Sequence, residues 1–470
     1  MKKVLKAVLL LMFFAVDFAV ADALPDLDRT DKVHSRKYLD SINVYHRRPI
    51  RVNQSGFRPH DYKYAYVADP SDTKFKVIDA NSGAEAWSGS LSLISNNVVK
   101  PNMYVNGAFN SITSYYHYGK LDSSTTTEKL YRADFTGLSP STPGEYFVVV
   151  GKDTSATFHI HPAIFTALLE KSLMFFGIQR CGNTNSHFHA PCHLKDGSEI
   201  GRDLTGGWHD CGDHFKVAET VGYATYVLSM VYLTYQDKAE DRFGHSYGDT
   251  IPDGYPDVLW EAKVGADYIL KLYNASVEDG LIAKGDMYHK VGMSDEDHRY
   301  WDLPERQDKQ PREQGGPDRF VIKDIGTNVA GIYAAALANV AEGFKPYDPV
   351  YSDSLLQAAK TIYAKIVKPT FKPYNDIGCA RMGKATMYKH GETFNGDGYY
   401  SGKGLCEDDA AAAAASLWLA TGDTIYGYDL YKNKELNDNY DIAKYDLAFF
   451  EGGYMGTPPG FGPCRSLIRG

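Results

Sequence analysis

The sequence predicts two folded units, a small β-sandwich followed by an all-α unit. Three observations carry this. The chain has 470 residues, more than one ordinary domain holds. Between about Arg48 and Ile160 it breaks into short β-rich runs separated by turn clusters. After Pro162 the apolar residues recur every three or four positions, the period of helices. The composition, 43% apolar and 23% charged, is globular, neither disordered nor collagenous.

In the first unit, Tyr64 to Ala68 and Phe75 to Asp79 are short β-rich runs. The cluster Asp79-Ala80-Asn81-Ser82-Gly83 is a turn. Thr142-Pro143-Gly144 gives a second turn ahead of a strand to Val150, and Ala156 to Ile160 a last one. In the second unit, Phe165, Leu169, Leu173 and Phe176 share one helix face. So do Val217, Val221, Ala224, Leu228, Val231 and Tyr235, and again Val258, Ala262, Gly265, Ile269 and Leu272. Three further helices are expected near Gly326–Val340, Ser352–Val367 and Asp408–Ala420. The alanines at 410–415 suit close helix packing. Long loops rich in Gly, Asp and His join these helices, and chemistry is expected there.

The ends and the charge narrow the function. Lys2, Lys3 and Lys6, the apolar run Val4–Val16 and the A-x-A at Ala19-Val20-Ala21 form a cleavable secretory signal peptide, residues 1–21. No later run is long and apolar enough to span a membrane, so the expectation is a secreted or periplasmic protein, bacterial and monomeric. A net charge of −9 argues against nucleic acid as a partner. The aromatic content, 13%, permits carbohydrate stacking and equally a well-filled core.

The densest polar cluster is Asp203-Leu204-Thr205-Gly206-Gly207-Trp208-His209-Asp210-Cys211-Gly212-Asp213-His214. Asp210 and Asp213 precede the most regular helical pattern. Two carboxylates at a helix N-terminus are favoured in their charged form, and together they can hold and deprotonate a water. N-capping or a calcium loop would use the same residues. A second cluster, Cys181, Cys192, His193 and His209, has the donors of a tetrahedral zinc site. On spacing alone a Cys181–Cys192 disulfide with bystander histidines stands equal to it.

The run Asp203–Asp213 resembles the D-x-S/T-G-G-W-x-D-A-G-D signature of glycoside hydrolase family nine, the inverting cellulases. Ile251-Pro252-Asp253, Tyr400-Ser401-Gly402 with Asp408-Asp409, and Ala420-Thr421-Gly422-Asp423 resemble further family segments in the family's order. Arg51-Val52-Asn53-Gln54-Ser55-Gly56-Phe57 resembles the start of the Ig-like module that precedes the catalytic domain in many members. The resemblance implies an Ig-like β-sandwich over 48–160 and an (α/α)6 toroid from 162 to 470. It implies an endo-β-1,4-glucanase acting on cellulose or a related β-glucan, with Asp213 as general base and Asp210 orienting the water. His298 and Trp301 match the family's H-x-x-W, a hydroxyl contact and a stacking ring, and Tyr400 falls where a groove aromatic lies. Catalysis then requires the Asp213 carboxylate to face an open trench.

The resemblance also implies two structural metals: zinc on Cys181, Cys192, His193 and His209, and calcium on Ser401, Gly402, Asp408 and Asp409. Two family features are missing. No His-His pair and no Asn-Glu occurs in the sequence, so the family's general acid has no counterpart, and the catalytic module is expected to lack its last part. A non-catalytic glucan-binding protein is the alternative.

Overall fold

The computed structural model describes residues 49–99, 127–141, 143–183, 186–368, 384–386, 393–395 and 407–432. The chain divides into two compact units, and the division falls after Leu169.

The first unit is two antiparallel sheets. Strands β1 (Ile50–Val52), β2 (Tyr64–Ala68), β3 (Lys74–Asp79), β4 (Glu85–Ser90), β5 (Ser92–Val99), β6 (Thr127–Asp134), β7 (Gly144–Val150), β8 (Asp153–Thr154) and β9 (Phe158–Ile160) follow in order. One sheet runs β1-β2-β6-β5. The other runs β4-β3-β7-β8, with β9 also against β7. Alternation sets the faces: Ala65 and Val67 of β2 and Phe75 and Val77 of β3 are buried while Tyr64, Tyr66, Lys74 and Lys76 are exposed. Ile50, Phe57, Phe135, Val148, Phe158 and Ile160 complete the core, with Phe57 edge-on to Phe158 at 5.5 Å. The strands expected at Tyr64–Ala68 and Phe75–Asp79 are present. Those at β4 and β5 are not visible in the sequence pattern, because their alternation is broken by Ser, Asn and Gly; β6 is also missed, a run carrying Glu, Lys, Arg and Asp among few apolar residues.

Helices α1 (Ile164–Gln179), α2 (Ala218–Thr234) and α3 (Asp257–Glu278) come next. Two single turns follow, α4 (Ser294–Asp297) and α5 (Pro304–Gln307). A short ribbon pairs β10 (Lys290–Val291) with β11 (Val321–Ile322). Then come α6 (Thr327–Phe344), α7 (Pro349–Ile362), α8 (Glu407–Thr421) and α9 (Thr424–Lys432). All six expected helices form. α7 begins where Asp348 accepts from the Tyr351 amide with Pro349 at the first position, a side-chain cap with a preset φ. It continues through one wide turn, Tyr363–Val367.

α6 is the axis of this unit. It is buried on nearly every side because α2, α3, α7 and α8 all pack on it. Its alanines and those at 410–415 of α8 are buried together. Small side chains let the two backbones approach: a Cβ added to Gly331 would lie 2.7 Å from the backbone of Asp409. The alanine run is therefore a packing surface. Among the described residues no helix is long and apolar enough to cross a membrane.

Candidate active site and metal centre

Residues 180–183 and 186–217 lie between α1 and α2 and are held by three isolated bridges, Arg180 with Trp208, Gly182 with Cys192, and Lys216 with Val291. Buried charges fix it. Arg180 donates to both oxygens of Glu261 on α3, at 3.2 and 2.6 Å. The same carboxylate accepts from Trp208 Nε1 at 2.8 Å and from the Tyr247 hydroxyl at 2.6 Å. Trp208 is thereby anchored, and His209 and Asp210 follow it. A second guanidinium, Arg319, is equally buried. It grips Asp196 at 2.9 and 2.6 Å, the His214 carbonyl at 2.7 Å and Asp297 at 3.4 Å. Lys216 also reaches Asp196, at 2.6 Å. Three segments thus converge on one cation: the one after His193, the one after Asp213 and the one before His298.

Asp210 and Asp213 are brought together; with the Cys211 sulfur, one ligand atom from each lies within 4.8 Å of the others. They do not stand at a helix N-terminus as expected. α2 begins only at Ala218, because Lys216 is drawn out to pair with Val291, so the helix dipole does not act on these carboxylates directly. The Asp213 carboxylate also does not face an open trench: its residue is 1% exposed. Oδ2 is covered by His298 Nε2 at 3.0 Å and by the Cys211 thiol at 3.0 Å. Oδ1 is buried without a hydrogen-bond partner. Asp210 is the more accessible of the two.

His298 and Trp301 lie on the same side of the site. Their rings are parallel, within 3° and 5.7 Å apart, and Trp301 Nε1 donates to the His298 carbonyl at 2.9 Å. Trp301 is 58% exposed, an open aromatic face. It leans over Gly212, where a Cβ would fall 2.7 Å from the indole, so any side chain there would push the ring off. Next to His298, Asp297 is fully buried, and burial pushes its carboxyl up to about 6. Tyr400, Ser401 and Gly402 lie outside the described residues. Asp408 and Asp409 open the first turn of α8, with the Asp409 backbone against Gly331.

Cys181, Cys192, His193 and His209 are all buried, and their donor atoms lie within 4.8 Å of one another. Both cysteines are free thiols, not a disulfide. Cys181 Sγ is 3.7 Å from His193 Nδ1, and Cys192 Sγ is 3.5 Å from His209 Nε2. A tetrahedral zinc with ordinary bond lengths sets S and N about 3.6 Å apart, so the donors fit. The electrostatics agree. Burial pushes the Cys181 thiol up, yet its bond with Cys192 and the nearby Lys216 and histidines outweigh this and hold it well below the usual thiol range. Cys192, sharing a proton with it, is pushed the other way. Burial drives His209 down to about 4, so its ring is neutral and able to ligate at neutral pH. The buried residues Arg319, Asp196, Lys216, Asp297 and Gln307 left no mark in the sequence pattern, and His214 showed only as the end of the polar cluster.

The family model for Glycosyl hydrolase family 9 matches residues 165–452, more than half of the chain. The chain belongs to that family. A model of the cellulase N-terminal Ig-like domain matches residues 46–118, so the family 9 domain follows an Ig-like one. The cellulose 1,4-beta-cellobiosidase of Acetivibrio thermocellus is 25% identical over 91% of this chain and 47% of its own length. Among solved structures, a metagenome-derived family 9 endoglucanase is 24% identical with a TM-score of 0.56, over 80% of this chain and 62% of that one. A zinc-binding triple mutant of the family 9 endoglucanase J30 is 21% identical with a TM-score of 0.54, over 81% and 63%. These two show the fold, a helical (α/α)6 family 9 domain after a β-rich region. The chain spans 34% to 47% of the length of the first curated relatives it matches.

Proposed function

We propose that this family 9 chain is an exported endo-β-1,4-glucanase that hydrolyses cellulose or a related β-glucan with inversion. Asp213 is the general base and Asp210 orients the water. The observation that carries this is the pairing of those two carboxylates beside His298 and the exposed face of Trp301. A sugar ring stacks on the indole, and His298 turns from Asp213 Oδ2 toward a glucose hydroxyl, which opens that oxygen to water. Inversion also needs a distant acid on the leaving oxygen, and the family's Asn-Glu motif is absent from this sequence.

The same proposal covers the organisation: a leader over 1–21, an Ig-like module over 48–160 and the catalytic module from 162 to 470, working as a monomer. Zinc on Cys181, Cys192, His193 and His209 would have four protein ligands and no open position, so it stiffens the loop that carries Asp210. Calcium on Ser401, Gly402, Asp408 and Asp409 would brace the start of α8 with oxygen ligands suited to a hard cation.

Release of reducing ends from carboxymethylcellulose tests the proposal. Asp213→Asn lowers turnover by about 10²–10⁴-fold, the usual worth of a general base; unchanged turnover refutes the assignment. The covered Asp213 favours one other reading, a glucan-binding protein without catalysis. That reading predicts binding to insoluble cellulose without turnover, and the same binding in Asp213→Asn.

A further inference from the structure

We propose that Gln307 is the residue that orients the Cys181–Cys192–His193–His209 centre, by fixing which nitrogen of His193 faces the metal. This rests on the zinc proposal above. Gln307 is fully buried at the end of α5. Its Nε2 donates to the Gln314 carbonyl at 3.1 Å. A carbonyl can only accept, so that bond determines which end of the amide is nitrogen. The other end, Oε1, therefore accepts. It lies 3.0 Å from His193 Nε2 and 2.7 Å from His214 Nδ1. Both ring nitrogens must then carry protons.

With its proton on Nε2, a neutral His193 has its lone pair on Nδ1. That is the atom 3.7 Å from Cys181 Sγ, inside the four-donor cluster. The backbone carbonyl of Gln314 thus sets the amide, the amide sets the tautomer, and the tautomer presents the donor atom. The next residue completes the grip: Asp308 Oδ2 accepts from the His193 backbone amide at 2.7 Å. His193 needs holding, since it sits at φ +51°, a left-handed conformation that costs a non-glycine residue energy. The imidazole of His214 is 4.8 Å from that of His209, so the amide also steadies the ring packed against the second histidine ligand. Outer partners of this kind change metal affinity by about 10–100-fold.

Zinc content and competition with a chelator, measured on the full chain and its variants, test this. The wild type binds one zinc per chain. Gln307→Leu weakens zinc about 10–100-fold and frees His193 to take either tautomer, read in nitrogen-15 imidazole spectra. Gln307→Leu with wild-type zinc affinity overturns the inference. Absence of zinc from folded wild-type protein refutes the zinc proposal itself, a separate outcome. If Gln307→Leu does not fold, nitrogen-15 imidazole spectra of the zinc-loaded wild type decide: His193 bound through Nδ1 with a proton on Nε2 supports the role, and the reverse tautomer overturns it.

Discussion

Trp301 and His289 show opposite fates of a single ring. Trp301 is largely exposed and packs mainly on Gly212 and His298. Trp301→Ala is therefore expected to leave thermal stability nearly unchanged and to raise KM for a soluble glucan about two- to tenfold, the worth of one aromatic contact. An unchanged KM would remove Trp301 from the substrate surface. His289 lies buried, and burial together with Lys290 pushes its imidazole down to about 3. The unfolded chain protonates this ring near 6.5, the folded protein does not. Stability is then full above about 6.5 and falls as the pH drops toward 3. At pH 5 this one group costs about 2 kcal/mol. Urea unfolding at pH 7 and pH 5 should show a smaller difference in His289→Leu than in the wild type; an equal difference refutes it.

At the scale of elements, α6 and α8 meet through small residues. Ala412 is fully buried where the two helices pack. Ala412→Leu must push the helices apart, and is expected to cost about 1–3 kcal/mol, seen as a lowered Tm; an unshifted Tm would mean the helices are not in close contact. The helices themselves were legible in the sequence, because an apolar stripe at three- and four-residue spacing is a local pattern that burial preserves. The start of α2 was legible to within one residue; the extended segment before it was not. Val217 has the right period, yet Lys216 and its neighbours are held extended by Val291, a residue far along the chain. The edge strands were lost for a related reason: β5 alternates poorly and pairs with register shifts, so tertiary pairing makes it a strand where its residues do not.

For the whole molecule, the second unit depends on buried ions. Arg319 neutralises Asp196 and Asp297 and bonds the His214 carbonyl. Arg319→Met leaves Asp297 buried without its cation and Asp196 with Lys216 alone, and is expected to cost about 3–5 kcal/mol, measured by denaturant unfolding; a loss below 1 kcal/mol would mean that the three segments hold without it. Removing zinc should act on the same segments. A chelator is expected to lower the Tm of the wild type and to leave Cys192→Ala, which has lost a ligand, unmoved. Activity should fall with stability and not ahead of it, since the metal has no open position for substrate.

The sequence by itself determined the two units, the helices and the identity of the paired carboxylates, since short-range periodicity and a dense motif survive in any chain that folds this way. Tertiary structure decided what those residues touch. That Asp213 is closed off by His298 and Cys211, that one guanidinium serves three segments, and that Gln307 stands behind His193 all depend on residues as much as about 120 positions apart. Such contacts follow from how helices and loops pack in space, and packing distance has no counterpart in the spacing of letters along a chain.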